Sequence, residues 1–117
     1  MASNLEEIMA RQLEEAGIEY EREAQLIPGR KFRFDFLLPG IKPQVIVECE
    51  GGTWAGGRHT SGVGFRNDCV KYNLAVEHGY IVLRYTSDLI KSKGAIESIK
   101  RVSEVYGAQT LSDAAGG

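Results

Sequence analysis

The stretch KFRFDFLLPGIKPQVIVECEGG, Lys31 to Gly52, carries the reading of the fold. It alternates large apolar and polar residues as far as Phe36, turns at LPGIKP, and resumes as the apolar run QVIVECE. Two extended runs joined by a Pro- and Gly-containing turn predict an antiparallel strand pair. Strand periodicity puts Phe32, Phe34 and Phe36 on one side of the first strand, with Arg33, Asp35 and Leu37 on the other. In the second strand it groups Ile46, Glu48 and Glu50 against Val45, Val47 and Cys49. Two carboxylates therefore close a run that is otherwise core-forming, and Gly51–Gly52 follows at once.

Working outward, residues from about Leu5 to Ala16 read as a helix capped by Ser3 or Asn4 and stopped by Gly17. Its apolar stripe is Leu5, Met9, Leu13 and Ala16, with Glu6 at the margin. Tyr20 to Ile27 reads as a polar, exposed strand ended by Pro28–Gly29. A glycine-rich loop spans Gly51 to Gly64, a length that suggests function. Phe65 to His78 is expected to be a helix burying Phe65, Cys69, Tyr72 and Val76 and ending at Gly79. YIVLRYT then reads as a buried strand, and Asp88 to about Val105 as a final helix capped by Ser87 or Asp88. The order α-β-β-β-α-β-α predicts an α/β domain at 1–107, its mixed sheet covered by helices on both faces, and a frayed, disordered tail at 108–117.

Composition narrows the classes. A chain of 117 residues, 43% hydrophobic and 26% charged, is sized and mixed like one soluble domain. No apolar run approaches the roughly 20 residues of a membrane span, so no membrane association is expected. The acidic, amphipathic MASNLEEIMARQLEEAG does not read as a targeting peptide. Two cysteines, Cys49 and Cys69, fit a reducing cytoplasm rather than a disulfide framework. The net charge of −2 argues against a domain that coats nucleic acid indiscriminately. The segments GRKFR, GGRH and KSK are nevertheless basic, so a positive face is compatible with that mean.

If the two central strands pair, Asp35 reaches the face that bears Glu48 and Glu50, and Glu6 can approach from the first helix. Carboxylates so gathered repel one another, and either protonation or a hard cation relieves them. Mg²⁺ suits an all-oxygen donor set. Simpler readings stand beside this one: Asp35 as a solvated edge residue or an ion-pair partner of Arg33 or Arg84, and Glu48 as a surface acid. A glycosidase acid pair is a further reading, for which the scaffold is small and the aromatic platforms few.

The segments FRFDFLLPG, VIVECEGGTWAGGRHTSGVGF and NDCVKYNLAVEHGYIVLRYT resemble the virus-type replication-repair nuclease (VRR-NUC) group of the PD-(D/E)XK nuclease superfamily, over about residues 5 to 105. The resemblance implies a restriction-endonuclease-like core and a structure-specific DNA endonuclease dependent on Mg²⁺, with Mn²⁺ as substitute. It implies Asp35 and Glu48 as metal ligands, joined by the backbone carbonyl of Cys49 and, in part of the superfamily, by a helix acid matching Glu6. The chain departs from the pattern at Glu50, where lysine is expected. Glu50 can hold a second cation, bond a water, or stand as a passive acid. Lys71 can supply the missing charge, or can be an i,i+3 partner of Asp68.

Arg58 and His59 are candidates for gripping a phosphate, and His59 alternatively for protonating a leaving group or for neither. Trp54 can stack on a base or pack in the core. Arg30, Lys31 and Arg33 are candidates for contacting backbone phosphates, Arg33 also for pairing with acids on its own face. No module that reads base sequence is visible, which favours flaps, bulges or four-way junctions. A two-fold junction needs two active sites and hence a homodimer. The expected setting is phage replication, recombination or repair in a bacterial or phage-infected cytoplasm. The alternative is a catalytically impaired, nuclease-like DNA-binding scaffold.

Overall fold

A computed structural model describes residues 4–51 and 62–116, with side chains described as far as residue 107. The first helix, α1 (Asn4–Glu15), buries Leu5, Met9, Ala10 and Leu13. It ends in a left-handed turn at Gly17, φ 71°. There the Ile18 amide donates to the Leu13 carbonyl at 2.9 Å and the Gly17 amide to that of Glu14 at 3.0 Å. This pair of bonds satisfies the orphaned carbonyls of the last turn. A Cβ at Gly17 would meet no atom within 4 Å, so Gly17→Ala isolates the backbone strain. Thermal unfolding should show a loss of about 1 kcal/mol. Gly40→Ala, with neither a clash nor a left-handed φ, should be neutral or mildly stabilising.

Four strands follow: β1 (Glu21–Ala24), β2 (Phe34–Leu38), β3 (Val45–Glu50) and, after helix α2 (Gly62–Glu77), β4 (Ile81–Thr86). They form one sheet in the order β1-β2-β3-β4. The first three are mutually antiparallel, and β4 lies parallel to β3 by way of the α2 crossover. Two helices complete the chain, α3 (Ser87–Lys91) and α4 (Gly94–Gly116). The architecture is mixed α/β, and among the described residues no helix is long and apolar enough to cross a membrane.

The sheet separates two apolar clusters. Phe36, Leu38, Val45 and Val47 pack with Met9 and Leu13 of α1, Ile90 of α3 and Ile99 of α4. On the other side Phe34, Leu37 and Ile46 pack with Ile27 and with Ala75 of α2. The three phenylalanines therefore do not share a side, as simple alternation had predicted. Phe36 enters the first cluster, while Phe34, with Phe32 beside it, enters the second. The alternation breaks at Asp35, where side chains replace part of the ladder. The Asp35 amide donates to Glu48 Oε1 at 2.9 Å, and the Cys49 amide donates to Asp35 Oδ2 at 2.8 Å.

Three other expectations need correction. The inward side of α2 is Asp68, Lys71, Tyr72 and Ala75. Phe65 and Val76 are 63% and 59% exposed, and Cys69 is exposed as well. That helix lies over the carboxylates of β3, so Lys71 turns inward beside Tyr72, whose expected burial holds, while Phe65, Cys69 and Val76 turn outward. Strand β4 is an edge of the sheet and, apart from the buried Tyr85 and the exposed Arg84, is half-buried rather than a buried strand. The final helix is broken at Ser92–Lys93, where Lys93 has φ 71°, and α4 runs from Gly94 to Gly116.

Candidate functional site

Strand register brings one charged residue from each strand to the same level of the sheet. Glu21↔Leu37, Arg22↔Phe36 and Ala24↔Phe34 leave Glu23 of β1 opposite Asp35 of β2. Continuing Phe36↔Val47 by one step sets Asp35 opposite Glu48 of β3, and Glu48 is in register with Arg84 of β4. A row Glu23–Asp35–Glu48–Arg84 thus crosses the whole sheet. Glu23 has φ 55°, a left-handed conformation uncommon for a residue with a side chain.

Asp35 is the centre of the row. One of its carboxylate oxygens lies with one each from Glu6 and Glu23 in a group spanning no more than 4.8 Å. Glu6 arrives from the first turn of α1, and Arg22 Nη2 lies 3.8 Å from its Oε1. Arg22 is shared with Glu7, at 2.9 Å, and lies over the Phe36 ring, 5.5 Å from its centroid. Burial raises the Asp35 carboxyl above its ordinary range, and the charges of Glu6 and Glu23 add to the rise. The Cys49 amide and Lys71 work in the opposite direction.

Glu48 is the one charged residue buried in the core among the described residues. It lies outside the Glu6–Glu23–Asp35 group and is tied towards α2. Its Oε2 is 3.5 Å from Lys71 Nζ and accepts from the Tyr72 hydroxyl at 3.1 Å. Burial first, and the charge of Asp35 second, push the Glu48 carboxyl up to about 7. Lys71 and two donated hydrogen bonds fail to cancel that rise. A carboxylate so poorly compensated marks a place with surplus negative charge. The neighbouring Cys49 thiol is raised by burial and then by the same acids, which makes it inert at neutral pH.

Glu50, in the position where lysine was expected, is bonded by Arg84 Nε at 2.6 Å and lies 3.4 Å from the Tyr72 hydroxyl. Tyr72 stands between two carboxylate–cation pairs, Glu48 with Lys71 and Glu50 with Arg84. Its ring centroid is 5.5 Å from Lys71 Nζ and 4.3 Å from Arg84 Cζ. Lys71 Nζ also lies 4.8 Å from the Phe34 ring centroid. The alternative pairing of Lys71 with Asp68 is not the one formed: Lys71 turns to Glu48.

The remaining candidates divide. Arg33 donates to the Glu23 carbonyl at 3.5 Å, so it lies along β1 beside the acidic group. Arg30 lies over the Phe32 ring, 5.5 Å from its centroid, and Lys31 is exposed. The Cys49 carbonyl accepts from the Gly51 amide at 3.2 Å and keeps its second lone pair. Trp54, Arg58 and His59 lie outside the described residues. Sequence reading missed Glu23, placed Tyr72 on the inward face without a polar role, and offered Arg84 as a partner of Asp35 where it pairs with Glu50. Glu23 could have been found only from the β1–β2 register, and Tyr72 from a polar rather than apolar reading of α2. The chain was compared with protein-family models, with curated proteins and with solved structures, and nothing matched.

Proposed function

We propose that this chain is a Mg²⁺-dependent endonuclease of PD-(D/E)XK type that hydrolyses phosphodiester bonds in branched DNA, working as a homodimer. The observation that carries the reading is the interlock of Asp35 and Glu48 across β2 and β3, with Lys71 against Glu48. The superfamily pattern asks for two acids and a lysine at such a place, and here the lysine comes from α2 instead of β3.

The donor set fits a hard cation. It is entirely oxygen, Asp35 shares a group of carboxylate oxygens within 4.8 Å with Glu6 and Glu23, and burial and Asp35 leave the adjoining Glu48 short of compensation. Asp35 and Glu48 would hold Mg²⁺ or Mn²⁺ together with the Cys49 carbonyl, Glu6 and Glu23 supporting Asp35 from the first helix and strand. When bound, such an ion lowers the pKa of water and offsets charge on non-bridging phosphate oxygens. The rest belongs to the chain. Water attacks phosphorus in line with the 3′-oxygen; the phosphorus–oxygen bond to that atom breaks, and the proton released by the water is matched by one taken up at the 3′-hydroxyl. Lys71 orients the water and balances phosphate charge. Glu50 has a different task, since Arg84 occupies it.

Lys71→Met should lower kcat about a hundredfold while DNA affinity changes less than about threefold. It should also move the pH profile, because Glu48 loses the cation that opposes its rise. Single-turnover cleavage from pH 6 to 9 reads both effects, and an unchanged profile would remove Lys71 from the mechanism. The whole reading is tested with an end-labelled four-way junction incubated with Mg²⁺, Mn²⁺ or EDTA. Metal-dependent nicking near the branch supports it. DNA binding with no cleavage in either metal would favour the scaffold reading, which the glutamate at position 50 keeps in view.

A further inference from the structure

We propose that Arg84 binds a phosphate of the nucleic-acid backbone through the outer fork of its guanidinium, with Glu50 and Tyr72 as the residues that position it. The inference rests on the nuclease reading above and adds a substrate contact on β4, a strand to which that reading assigned none.

Three features of the geometry support it. Glu50 Oε1 accepts from Nε, the inner nitrogen, at 2.6 Å, which fixes the rotation of the guanidinium about its stem. The Tyr72 ring lies 4.3 Å from Cζ, which fixes the tilt of the guanidinium plane. Nη1 and Nη2 make no hydrogen bond among the described residues, and the side chain is 45% exposed. Two constraints thus act on the inner part of the group while its outer donors carry no hydrogen bond among the described residues. A guanidinium fixed in this way has prepaid part of the ordering cost of binding, and its paired donors match a phosphate's oxygens.

Position decides what the fork would meet. Arg84 is in register with Glu48 on the adjacent parallel strand, so both side chains rise from the same level and face of the sheet. Lys71 reaches Glu48 from α2, its Nζ 3.5 Å from Glu48 Oε2 and 5.5 Å from the Tyr72 ring centroid. A backbone crossing the Asp35–Glu48 level would therefore pass Arg84 at the β4 edge. Glu50 keeps the local charge balanced when no DNA is present. Asp68, whose charge acts on Arg84 from α2, competes mildly with a phosphate.

The test is equilibrium binding of a fluorescent branched DNA in EDTA, at several salt concentrations, with cleavage in Mg²⁺ measured on the same preparations. Arg84→Gln should weaken binding about five- to tenfold at 0.1 M salt and flatten the log K against log salt slope by about 0.9, the loss of one phosphate contact. Arg84→Lys should restore the slope yet recover the affinity only in part, because the charge returns without the fork. A purely structural role would lower the melting temperature and leave the slope alone. An unchanged slope in Arg84→Gln overturns the proposal, even if the parent cleaves normally. If the parent binds without cleaving and the slope still falls, the phosphate contact stands and the nuclease reading fails. If the parent binds no DNA, both fail.

Discussion

Asp35→Asn is expected to lower Mg²⁺-dependent cleavage about a thousandfold and to leave the protein at least as stable as the parent at pH 8. The two effects have one cause. Asp35 is half-buried, next to two acids and interlocked with a third, and its carboxyl is raised by that environment. Removing its charge removes repulsion. The amide oxygen of asparagine can still accept from the Cys49 amide, which Asp35 Oδ2 does at 2.8 Å, so the β2–β3 connection survives. Function and stability therefore move in opposite directions, the signature of a group kept for chemistry at a structural cost. DNA binding in EDTA should be unchanged or tighter, because one negative charge has left the surface. Asp35→Ala is the weaker experiment: it strands the Cys49 amide and costs about 1–3 kcal/mol besides. Normal cleavage by Asp35→Asn, measured alongside its melting temperature, would falsify the central role of this residue.

The second large effect is a pH dependence. Glu48 is raised from 4.5 to about 7 in the folded protein. A carboxyl raised on folding holds its proton in the folded state after the unfolded chain has released it. Stability therefore falls as pH rises between those two values, and does not rise. Below 4.5 both states are protonated and Glu48 contributes no slope. Across the window the loss accumulates to about 3 kcal/mol, and above about 7 it is complete. The quantity to measure is the difference between the parent and Glu48→Gln in urea unfolding from pH 4 to 9, since other groups cancel in it. Glu48→Gln should gain on the parent as pH rises. Mg²⁺ competes with the proton for the same charge, so its stabilisation of the parent should be small at pH 5 and large at pH 8. Parallel curves with no dependence on Mg²⁺ would mean that Glu48 is compensated by something else.

What was legible in the chain follows from how local each signal is. The helix ending at Gly17, the turn between β2 and β3 and the crossover through α2 are written in consecutive residues, and the structure has them all. Asp35 and Glu48 could be singled out because buried-looking acids are rare in apolar runs, and Glu6 because it borders the apolar stripe of α1. The inward side of α2 was misread because Phe65, Cys69 and Val76 make a good apolar stripe. Electrostatics overrode it: Glu48 and Glu50 on β3 draw Lys71 and Tyr72 inward. The alternation of Phe32, Phe34 and Phe36 failed at Asp35, whose carboxylate takes the place of a ladder partner for Cys49. Neither Glu23 nor Arg84 carries a local signal. Each gains its place only from strand register, Glu23 through β2 and Arg84 through β3.

The most direct measurement is anomalous diffraction from crystals soaked in Mn²⁺ at pH 8. The account predicts a peak at about 2.1–2.2 Å from an Asp35 carboxylate oxygen, with Glu48 or Glu6 completing the protein ligands, and its disappearance in Asp35→Asn. Well-diffracting crystals with Mn²⁺ elsewhere on the surface and no peak at Asp35 would contradict it.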